Sequence, residues 1–242
     1  MKAFIFAGGY GTRISELTDR IPKPMIPIGK WPILVHILSH YTKYGITDFV
    51  ILGGYKQNII RDFFESATGK ELARKNSWSV EVLDTGEDTT TAGRLWAIRD
   101  KLPEEFMLTY GDGLANIDIT ELISTHERFG LIGTVTAVRP PARFGTIEFE
   151  SGVVTSFREK DPQKTGWING GFFCFKRSVV EFISDTSLSF ESTALESLST
   201  SCQLAAYPHE GFWHPMDTLR DMRSLAEIYS SGKASWDISA LE

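Results

Sequence analysis

Short, continuous apolar runs alternate with segments whose apolar residues recur every three or four positions through the first part of the chain. A continuous apolar run predicts a strand buried on both faces, and the longer period predicts a helix packed on one face. The predicted strands are 2–7, 47–54, 78–86 and 105–113, and the predicted helices are 32–45, 58–65 and 92–102. Strands that alternate with helices predict βαβ units and a mostly parallel sheet covered on both faces.

The pattern changes beyond about Leu131. The runs TVTAV, GTIEFE, VVTSFRE and GGFFCF predict strands with few helices between them, and helices return at about 176–184, 191–199 and 216–230. We therefore predict an α/β fold with a Rossmann-like, mostly parallel but mixed sheet flanked by helices, extended by a smaller β-rich part. The polar stretch 66–77 predicts a mobile surface segment, and the chain contains no linker between independent domains.

Composition narrows the classes of function. Of the 242 residues 42% are hydrophobic and 23% charged, as in ordinary globular proteins, and the net charge of −6 argues against a general hold on nucleic acid. The N-terminal apolar run is too short for a signal peptide or a membrane span. Cys174 lies in the apolar run GFFCF and is expected in the core. The absence of a CxxC motif makes a structural zinc site improbable, and we expect a reducing, cytoplasmic location.

The first predicted strand ends in the sequence FAGGYGTR, which favours an anion site. Gly8, Gly9 and Gly11 allow backbone N–H groups to approach a phosphate, and Arg13 and Lys23 supply positive charge. The spacing matches neither the G-x-G-x-x-G of dinucleotide sites nor the G-K-[ST] of P-loops. The alternative is a tight surface turn with solvated cations.

Further segments along the chain carry a family resemblance. They are FAGGYGTRISELT with PKPM, LDTGEDTTTAGRL, TYGDGLANIDI, RFGTIEF, FREK, INGGFF and GFWHPMDTLRD. Together they resemble the sugar-1-phosphate nucleotidyltransferases, and TYGDG with FWHPMDTLRD resembles the cytidylyl branch of that family. The resemblance implies one nucleotidyltransferase domain over 1–242, with a nucleotide-binding half (1–130) and a sugar-phosphate-binding half (131–242). It also implies a homo-oligomer.

The substrates that the resemblance implies are CTP and a sugar 1-phosphate, most closely glucose 1-phosphate, and the cofactor is Mg²⁺. A phosphate monoester is already anionic at neutral pH, so the reaction needs no serine, histidine or cysteine nucleophile. The five histidines are therefore assigned no catalytic role. Asp112 and Asp217 match the metal carboxylates of the family. Taken alone, Asp112 would cap a turn, and Asp217 would cap the helix that begins near Thr218.

The resemblance assigns the remaining site residues. Arg13 faces the β- and γ-phosphates, and Lys23 faces the α-phosphate, where charge develops in the transition state. The implied nucleotide contacts are Ala7, Gly8, Gly9, Gly11, Thr12, Arg13, Lys23, Thr91, Arg94, Tyr110 and Gly111. The implied sugar-phosphate contacts are Glu159, Lys160, Asn169 and Gly170. Without the resemblance, Arg94 would be an exposed helix arginine, and Glu159 and Lys160 would belong to a charged hairpin end.

Three other hypotheses remain open at this point. The family usually carries a longer insertion near 66–77, so the acceptor could be a different sugar or polyol phosphate. The chain could also be a nucleotide-binding regulatory subunit without activity, although the joint presence of Arg13, Lys23, Asp112, Lys160 and Asp217 argues against it. A GT-A glycosyltransferase is weaker, because such enzymes use a D-x-D metal motif and this chain has Leu114 at its last position.

Overall fold

The computed structural model describes residues 1–140, 146–158, 166–236 and 238–241. The strands are β1 (Lys2–Ala7), β2 (Pro27–Ile28), β3 (Trp31–Pro32), β4 (Asp48–Gly53), β5 (Ser79–Asp84), β6 (Glu105–Tyr110), β7 (Gly113–Ala115), β8 (Gly133–Val138), β9 (Thr146–Glu150), β10 (Val153–Arg158), β11 (Ile168–Lys176), β12 (Leu204–His209) and β13 (Trp213–Pro215). The α-helices are α1 (Ser15–Thr18), α2 (Ile33–Thr42), α3 (Gln57–Glu65), α4 (Ala67–Lys75), α5 (Thr91–Ala97), α6 (Ile119–Phe129), α7 (Glu196–Thr200) and α8 (Leu219–Ser230).

The central sheet has seven strands in the order β12-β8-β11-β6-β1-β4-β5. Strand β1 runs parallel to β4 and β6, and β4 runs parallel to β5. Strand β11 is antiparallel to both of its neighbours, β6 and β8. The predicted sheet, mostly parallel but mixed, is therefore confirmed. The hairpin β9–β10 forms a separate two-stranded sheet.

Both faces of this sheet are covered, as predicted. Alternate side chains of β1 point to opposite faces, so Ala3 and Ile5 join one apolar core with α2, whereas Phe4 and Phe6 join a second core with α5. Cys174 is fully buried, as expected. Since β1, β4, β5 and β6 run in the same direction, their carboxyl ends open at one edge of the sheet, where ligands of open α/β sheets gather.

Helix α4 occupies most of residues 66–77, for which their polarity had predicted a mobile surface segment. The side chain of Ser66 accepts a hydrogen bond from the N–H of Gly69 and caps the start of α4. Leu72 is buried, and Asn76 donates a hydrogen bond to the carbonyl of Ala240 at 2.9 Å. That prediction was wrong because one buried leucine and a capping serine are enough to dock a helix that is otherwise polar.

Several elements were not predicted, among them helix α6 and strand β12, and helix α5 is shorter than predicted. Helix α6 begins at the N-cap Asp118 and ends at Gly130 in the left-handed conformation, and β12 forms the edge of the sheet beside β8. The sequence of β12 contains a proline, which edge strands tolerate and which weakens the strand pattern. Helix α5 ends at Ala97 and continues only as a 3-10 turn over Arg99–Lys101. Among the described helices, none is long and apolar enough to cross a membrane.

Candidate active site

A cavity of about 480 Å³ opens where β1 and β6 end, between these strands and the start of α5. It brings together every residue predicted to contact the nucleotide or the metal. These are Ala7, Gly8, Gly9, Gly11, Thr12, Arg13, Lys23, Thr91, Arg94, Tyr110, Gly111, Asp112 and Asp217. Their roles as ligands stay predictions. Five further residues line the cavity that were not predicted from the sequence, namely Phe6, Pro24, Thr89, Thr90 and Ser189.

Two carboxylates and two cations meet at one end of this cavity. The ammonium of Lys23 donates to Asp112 Oδ2 at 2.7 Å and to Asp217 Oδ1 at 2.8 Å. Nη1 of Arg13 donates to Asp217 Oδ2 at 3.1 Å. Burial acts to lower the pKa of Lys23, but the charges and hydrogen bonds of both carboxylates outweigh burial, so its pKa lies above the ordinary value. Lys23 is therefore a charged lysine held between two acids.

The backbone around Lys23 explains its position. Pro22 is extended, and Pro24 lies inside the 3-10 turn Lys23–Met25, so two proline rings restrict the chain on either side of the lysine. Gly11 has a φ of 65°, and a Cβ there would lie 2.8 Å from Cγ2 of Thr18. Thr18 in turn donates its hydroxyl to the Gly11 carbonyl at 3.1 Å. The Thr18 hydroxyl thereby joins the glycine loop to the end of α1.

Thr218, and not Asp217, is the N-cap of α8. The Thr218 hydroxyl accepts from the N–H of Asp221, and the Asp221 carboxylate accepts from the N–H of Thr218, which together form a capping box. Asp217 directs its carboxylate at Lys23 and Arg13 instead. The cap that the sequence offered as the simple explanation of Asp217 is thus supplied by its neighbour.

The donor set at Asp112 and Asp217 fits a divalent cation. Their oxygens converge on the single ammonium of Lys23, so they lie close enough to share one positive ion. Within the part of the chain that the structure describes, no group of three or more His, Cys, Asp or Glu residues is placed to hold a metal. A cation at this pair would therefore complete its shell with phosphate oxygens and water, which is how Mg²⁺ is commonly bound.

Arg94 lies beneath the glycine loop and is only 2% exposed. Its Nη1 donates to the carbonyls of Gly53 at 2.8 Å and Gly86 at 2.7 Å and to the Thr85 hydroxyl at 2.7 Å. Its Nη2 donates to the carbonyls of Gly8 at 2.8 Å and Glu87 at 3.1 Å. Burial lowers its pKa, and the charge of Asp84 partly offsets this. The alternative of an exposed helix arginine is wrong.

Two further contacts join chain segments beside the cavity, and no sequence pattern predicted either of them. The hydroxyl of Tyr10, in the glycine loop, donates to Asp88, and this hydrogen bond is the main cause that raises the pKa of Tyr10 to about 12. The ring of Tyr10 lies 4.7 Å from that of Tyr55. On the opposite side, Thr90 caps α5 and donates to the carbonyl of Thr186 at 2.8 Å.

The residues predicted to bind the sugar phosphate are only partly described. Asn169 donates to the hydroxyl of Tyr110 at 3.2 Å, and the same hydroxyl donates to Glu191. The pKa of Tyr110 is raised by burial and by the Glu191 charge. The register of β11 shifts between Asn169 and Phe173, and this irregularity turns Asn169 towards Tyr110 at the rim of the cavity.

Gly170 lies within the same irregularity of β11. Its carbonyl accepts a hydrogen bond from Trp213 Nε1 at 2.8 Å, which joins β11 to β13. Glu159 and Lys160 lie outside the described residues. Of the four residues predicted to contact the sugar phosphate, the structure therefore describes Asn169 and Gly170.

Histidines are not part of the described cavity lining. His36 is fully buried, and its Nδ1 accepts from Trp236 Nε1 at 3.2 Å while its Nε2 donates to the Ile28 carbonyl at 2.9 Å. Burial lowers the pKa of His36 to about 4, so the ring is neutral at physiological pH. His36 is therefore a core histidine with hydrogen bonds on both ring nitrogens.

Comparison with known proteins gives the family. A family model described as nucleotidyl transferase matches residues 2–228. The chain is 41% identical to the glucose-1-phosphate cytidylyltransferase of Salmonella typhi, covering 98% of both chains. It is 39% identical to the probable glucose-1-phosphate cytidylyltransferase of Bacillus subtilis (strain 168), covering 98% of this chain and 100% of that one.

The fold is also found among solved structures. The crystal structure of UDP-glucose pyrophosphorylase complexed with UDP-glucose superimposes with a TM-score of 0.74 at 18% identity, covering 96% of this chain and 98% of that chain. At this identity the likeness speaks for the fold alone. The family model spans most of the chain and the two relatives align from end to end, so the chain belongs to the nucleotidyl transferase family.

Proposed function

We propose that this protein transfers the cytidylyl group of CTP to glucose 1-phosphate, giving CDP-glucose and pyrophosphate. The observation that carries the proposal is the end-to-end similarity, at 41% identity, to a relative named glucose-1-phosphate cytidylyltransferase. The geometry of the cavity agrees with that chemistry, since it combines a glycine loop, two cations and two carboxylates.

The reaction is a displacement at phosphorus. An oxygen of the glucose 1-phosphate monoester forms a bond to the α-phosphorus of CTP, and the bond from that phosphorus to the pyrophosphate oxygen breaks. Because the attacking oxygen is already anionic at neutral pH, no side chain has to remove a proton from it. Catalysis then depends on positioning and on neutralising charge.

The side chains of Lys23 and Arg13 differ in burial, and this difference suits them to different phosphates of CTP. The side chain of Lys23 is only 12% exposed and is held between Asp112 and Asp217, so it stays at the centre of the site and meets the α-phosphate, where charge develops. The side chain of Arg13 is 75% exposed, so it can follow the β- and γ-phosphates as they leave. The N–H groups of the glycine loop cradle the triphosphate.

Asp112 and Asp217 would hold Mg²⁺ together with phosphate oxygens. When bound, the ion neutralises charge between the two phosphate-bearing substrates and orients the triphosphate. Leu114 is 1% exposed and lies in β7, so it is unsuited to the D-x-D site of a glycosyltransferase.

The acceptor half is proposed as 131–242 and the nucleotide half as 1–130. Asn169 and Gly170 would contact the sugar phosphate from β11, with Glu159 and Lys160 completing the pocket. A cytoplasmic location and a homo-oligomer stay predictions, as does the absence of nucleic-acid and membrane partners, which the net charge of −6 supports.

The proposal is tested with purified protein, Mg²⁺ and CTP against a panel of acceptors: glucose 1-phosphate, other sugar 1-phosphates and polyol phosphates. Pyrophosphate release should be fastest with glucose 1-phosphate. A clear preference for another phosphate would replace the acceptor but keep the chemistry. Binding of CTP without release of pyrophosphate from any acceptor would favour the regulatory alternative and refute the proposal.

A further inference from the structure

We propose that Arg94 is a positioning residue: it holds the main chain of the phosphate loop in its nucleotide-binding conformation and does not itself hydrogen-bond the nucleotide through its Nη atoms. This inference rests on the proposed function, because it assigns the residue that shapes the CTP site. It departs from the expectation that Arg94 contacts the nucleotide directly.

The Nη atoms of Arg94 have more hydrogen-bond acceptors around them than they have hydrogens. The two Nη atoms of a guanidinium have four hydrogens between them. In this structure those atoms face five acceptors, which are four backbone carbonyls and the Thr85 hydroxyl. The acceptors outnumber the hydrogens, so the Nη atoms have none left for a phosphate or a base.

The acceptors come from three chain segments that leave neighbouring strands. Gly8 follows β1, Gly53 ends β4, and the loop 85–87 follows β5, and these strands are adjacent in the sheet. Carbonyl oxygens that converge on one point repel each other unless a donor lies between them. The buried guanidinium is that donor, and it joins the three loops at the floor of the cavity.

We call the guanidinium of Arg94 and its five acceptors the clamp. The Gly8 carbonyl links the clamp to the phosphate loop. In a trans peptide the C=O and the following N–H point in opposite directions, and the described residues contain no cis peptide. A Gly8 carbonyl turned towards Arg94 therefore fixes the Gly9 N–H on the opposite side of the peptide plane. The Gly8 carbonyl also accepts from the Tyr55 N–H at 3.1 Å, so Arg94 and this backbone donor hold the peptide together. Gly8 and Gly9 both line the cavity, and the Gly9 N–H is the donor that this arrangement orients for a phosphate.

Two glycines make room for the guanidinium. A Cβ on Gly8 would lie 2.2 Å from Cζ of Arg94, and a Cβ on Gly54 would lie 2.3 Å from its Nη1. Both distances are far below van der Waals contact, so an alanine at either position displaces the arginine. Gly8 lines the cavity, but Gly54 does not. Gly54 is therefore the position at which the clamp can be disturbed without touching the nucleotide.

The test is a double-mutant cycle of Gly54→Ala and Arg94→Ala, with the KM for CTP and the KM for glucose 1-phosphate measured for each protein. We expect Gly54→Ala to raise the KM for CTP about tenfold and to leave the KM for glucose 1-phosphate within about twofold. In the Arg94→Ala background, Gly54→Ala should add less than about twofold. If Gly54→Ala leaves the KM for CTP unchanged, or if the two effects multiply, the proposal is overturned.

Arg94→Lys provides a second variant in case Gly54→Ala folds poorly. It keeps the positive charge, but its three N–H groups cannot meet five acceptors, so the KM for CTP should again rise about tenfold. A lysine variant with the wild-type KM would contradict the clamp. Gly166→Ala is the control for the glycine-to-alanine change, since its Cβ would have no neighbour within 4 Å among the residues that the structure describes.

The proposed function and the clamp fail differently. The cycle is run with the nucleoside triphosphate that the wild-type protein turns over fastest. Wild-type turnover with another base would refute the choice of CTP while the cycle still tests the clamp. Wild-type turnover of CTP with multiplying effects in the cycle would refute the clamp alone.

Discussion

The two sides of the cavity are held in different ways. On the nucleotide side, Arg94 ties three loops together from beneath, and the hydrogen bond from Tyr10 to Asp88 ties two of them from outside. In the half proposed for the acceptor, the hairpin β9–β10 forms its own two-stranded sheet, and Val153 and Val154 in it are 68% and 54% exposed.

This difference bears on how the proposed site would select its nucleotide and how it would select its acceptor. In the proposed function the triphosphate meets backbone groups that are fixed before it arrives, so little ordering has to be done on binding. The proposed acceptor contact Asn169 is exposed, and among the described residues its side chain bonds the Tyr110 hydroxyl and the Gly171 N–H. A few substitutions on the acceptor side can therefore change the sugar phosphate, whereas the nucleotide side resists such change.

Removing either carboxylate should have the largest effect. Asp112→Asn or Asp217→Asn weakens the binding of the divalent cation, and the reaction then loses several kcal/mol of charge stabilisation, which corresponds to roughly a thousandfold in kcat. Pyrophosphate release measures the loss, and Mn²⁺ binding in the presence of CTP measures its cause. Full turnover by Asp112→Asn would show that the metal assignment is wrong.

Lys23→Met should have the next largest effect. Its kcat should be lower by roughly 10²- to 10³-fold, because the variant has no cation at the α-phosphate. Since Lys23 binds the same carboxylates that would hold the metal, this variant should also bind Mn²⁺ more tightly when no nucleotide is present. Arg13→Met is the matched control, because its side chain is 75% exposed and contacts only Asp217 of the pair. A Mn²⁺ affinity that is equal in Lys23→Met and the wild type would contradict this account.

Acidic pH should lower the free energy of unfolding through the buried His36. His36 has a pKa of about 4 in the folded chain and an ordinary value of 6.5. The unfolded chain therefore binds more protons between these pH values, and the free energy of unfolding falls as the pH drops through this window, by roughly 3 kcal/mol for His36. Above the ordinary pKa this contribution is complete.

Urea unfolding of the wild type and of His36→Asn, at pH 7 and at about pH 4.5, checks the sign and size of this effect. The variant should lose less stability than the wild type between the two pH values. His126 and His209 also have lowered pKa values through burial, and they remain in both proteins. An equal loss in the two proteins would contradict the role given to His36.

Asn169→Ala should have the smallest effect and should be confined to the acceptor. The loss of a hydrogen bond to a charged phosphate raises the KM for glucose 1-phosphate about tenfold and leaves the KM for CTP unchanged. Asn76→Ala is the matched control, because it removes the same amide from a site that joins α4 to the carbonyl of Ala240. Equal changes in both KM values for Asn169→Ala would place this residue on the nucleotide side as well.

Local sequence predicted the phosphate loop because its parts are continuous in the chain, whereas Thr91, Arg94 and Tyr110 were assigned only by the family resemblance. The glycine loop and Lys23 lie within one stretch of about twenty residues, and strand β1 fixes where that stretch starts. The sheet and most of its helices followed from the same apolar pattern. Helix α4 did not, because its stability depends on contacts of Leu72 and Asn76 with distant segments that a local pattern cannot show.

Contacts between distant residues account for the rest of the unpredicted geometry. The pairs Tyr10 with Asp88 and Thr90 with Thr186 form only when the chain has folded, and the polar character of these residues favours exposure just as well. Asp217 was ambiguous for a related reason: either it or its neighbour Thr218 could have capped α8, and only the folded structure shows which does.

The most direct test of the central claim is competition among the four ribonucleoside triphosphates. Wild-type protein is incubated with equal concentrations of ATP, CTP, GTP and UTP, together with glucose 1-phosphate and Mg²⁺, and mass spectrometry identifies the nucleotide sugar formed. The account predicts CDP-glucose as the main product, with one pyrophosphate released for each molecule formed. A different nucleotide sugar as the main product, or none at all, would contradict it.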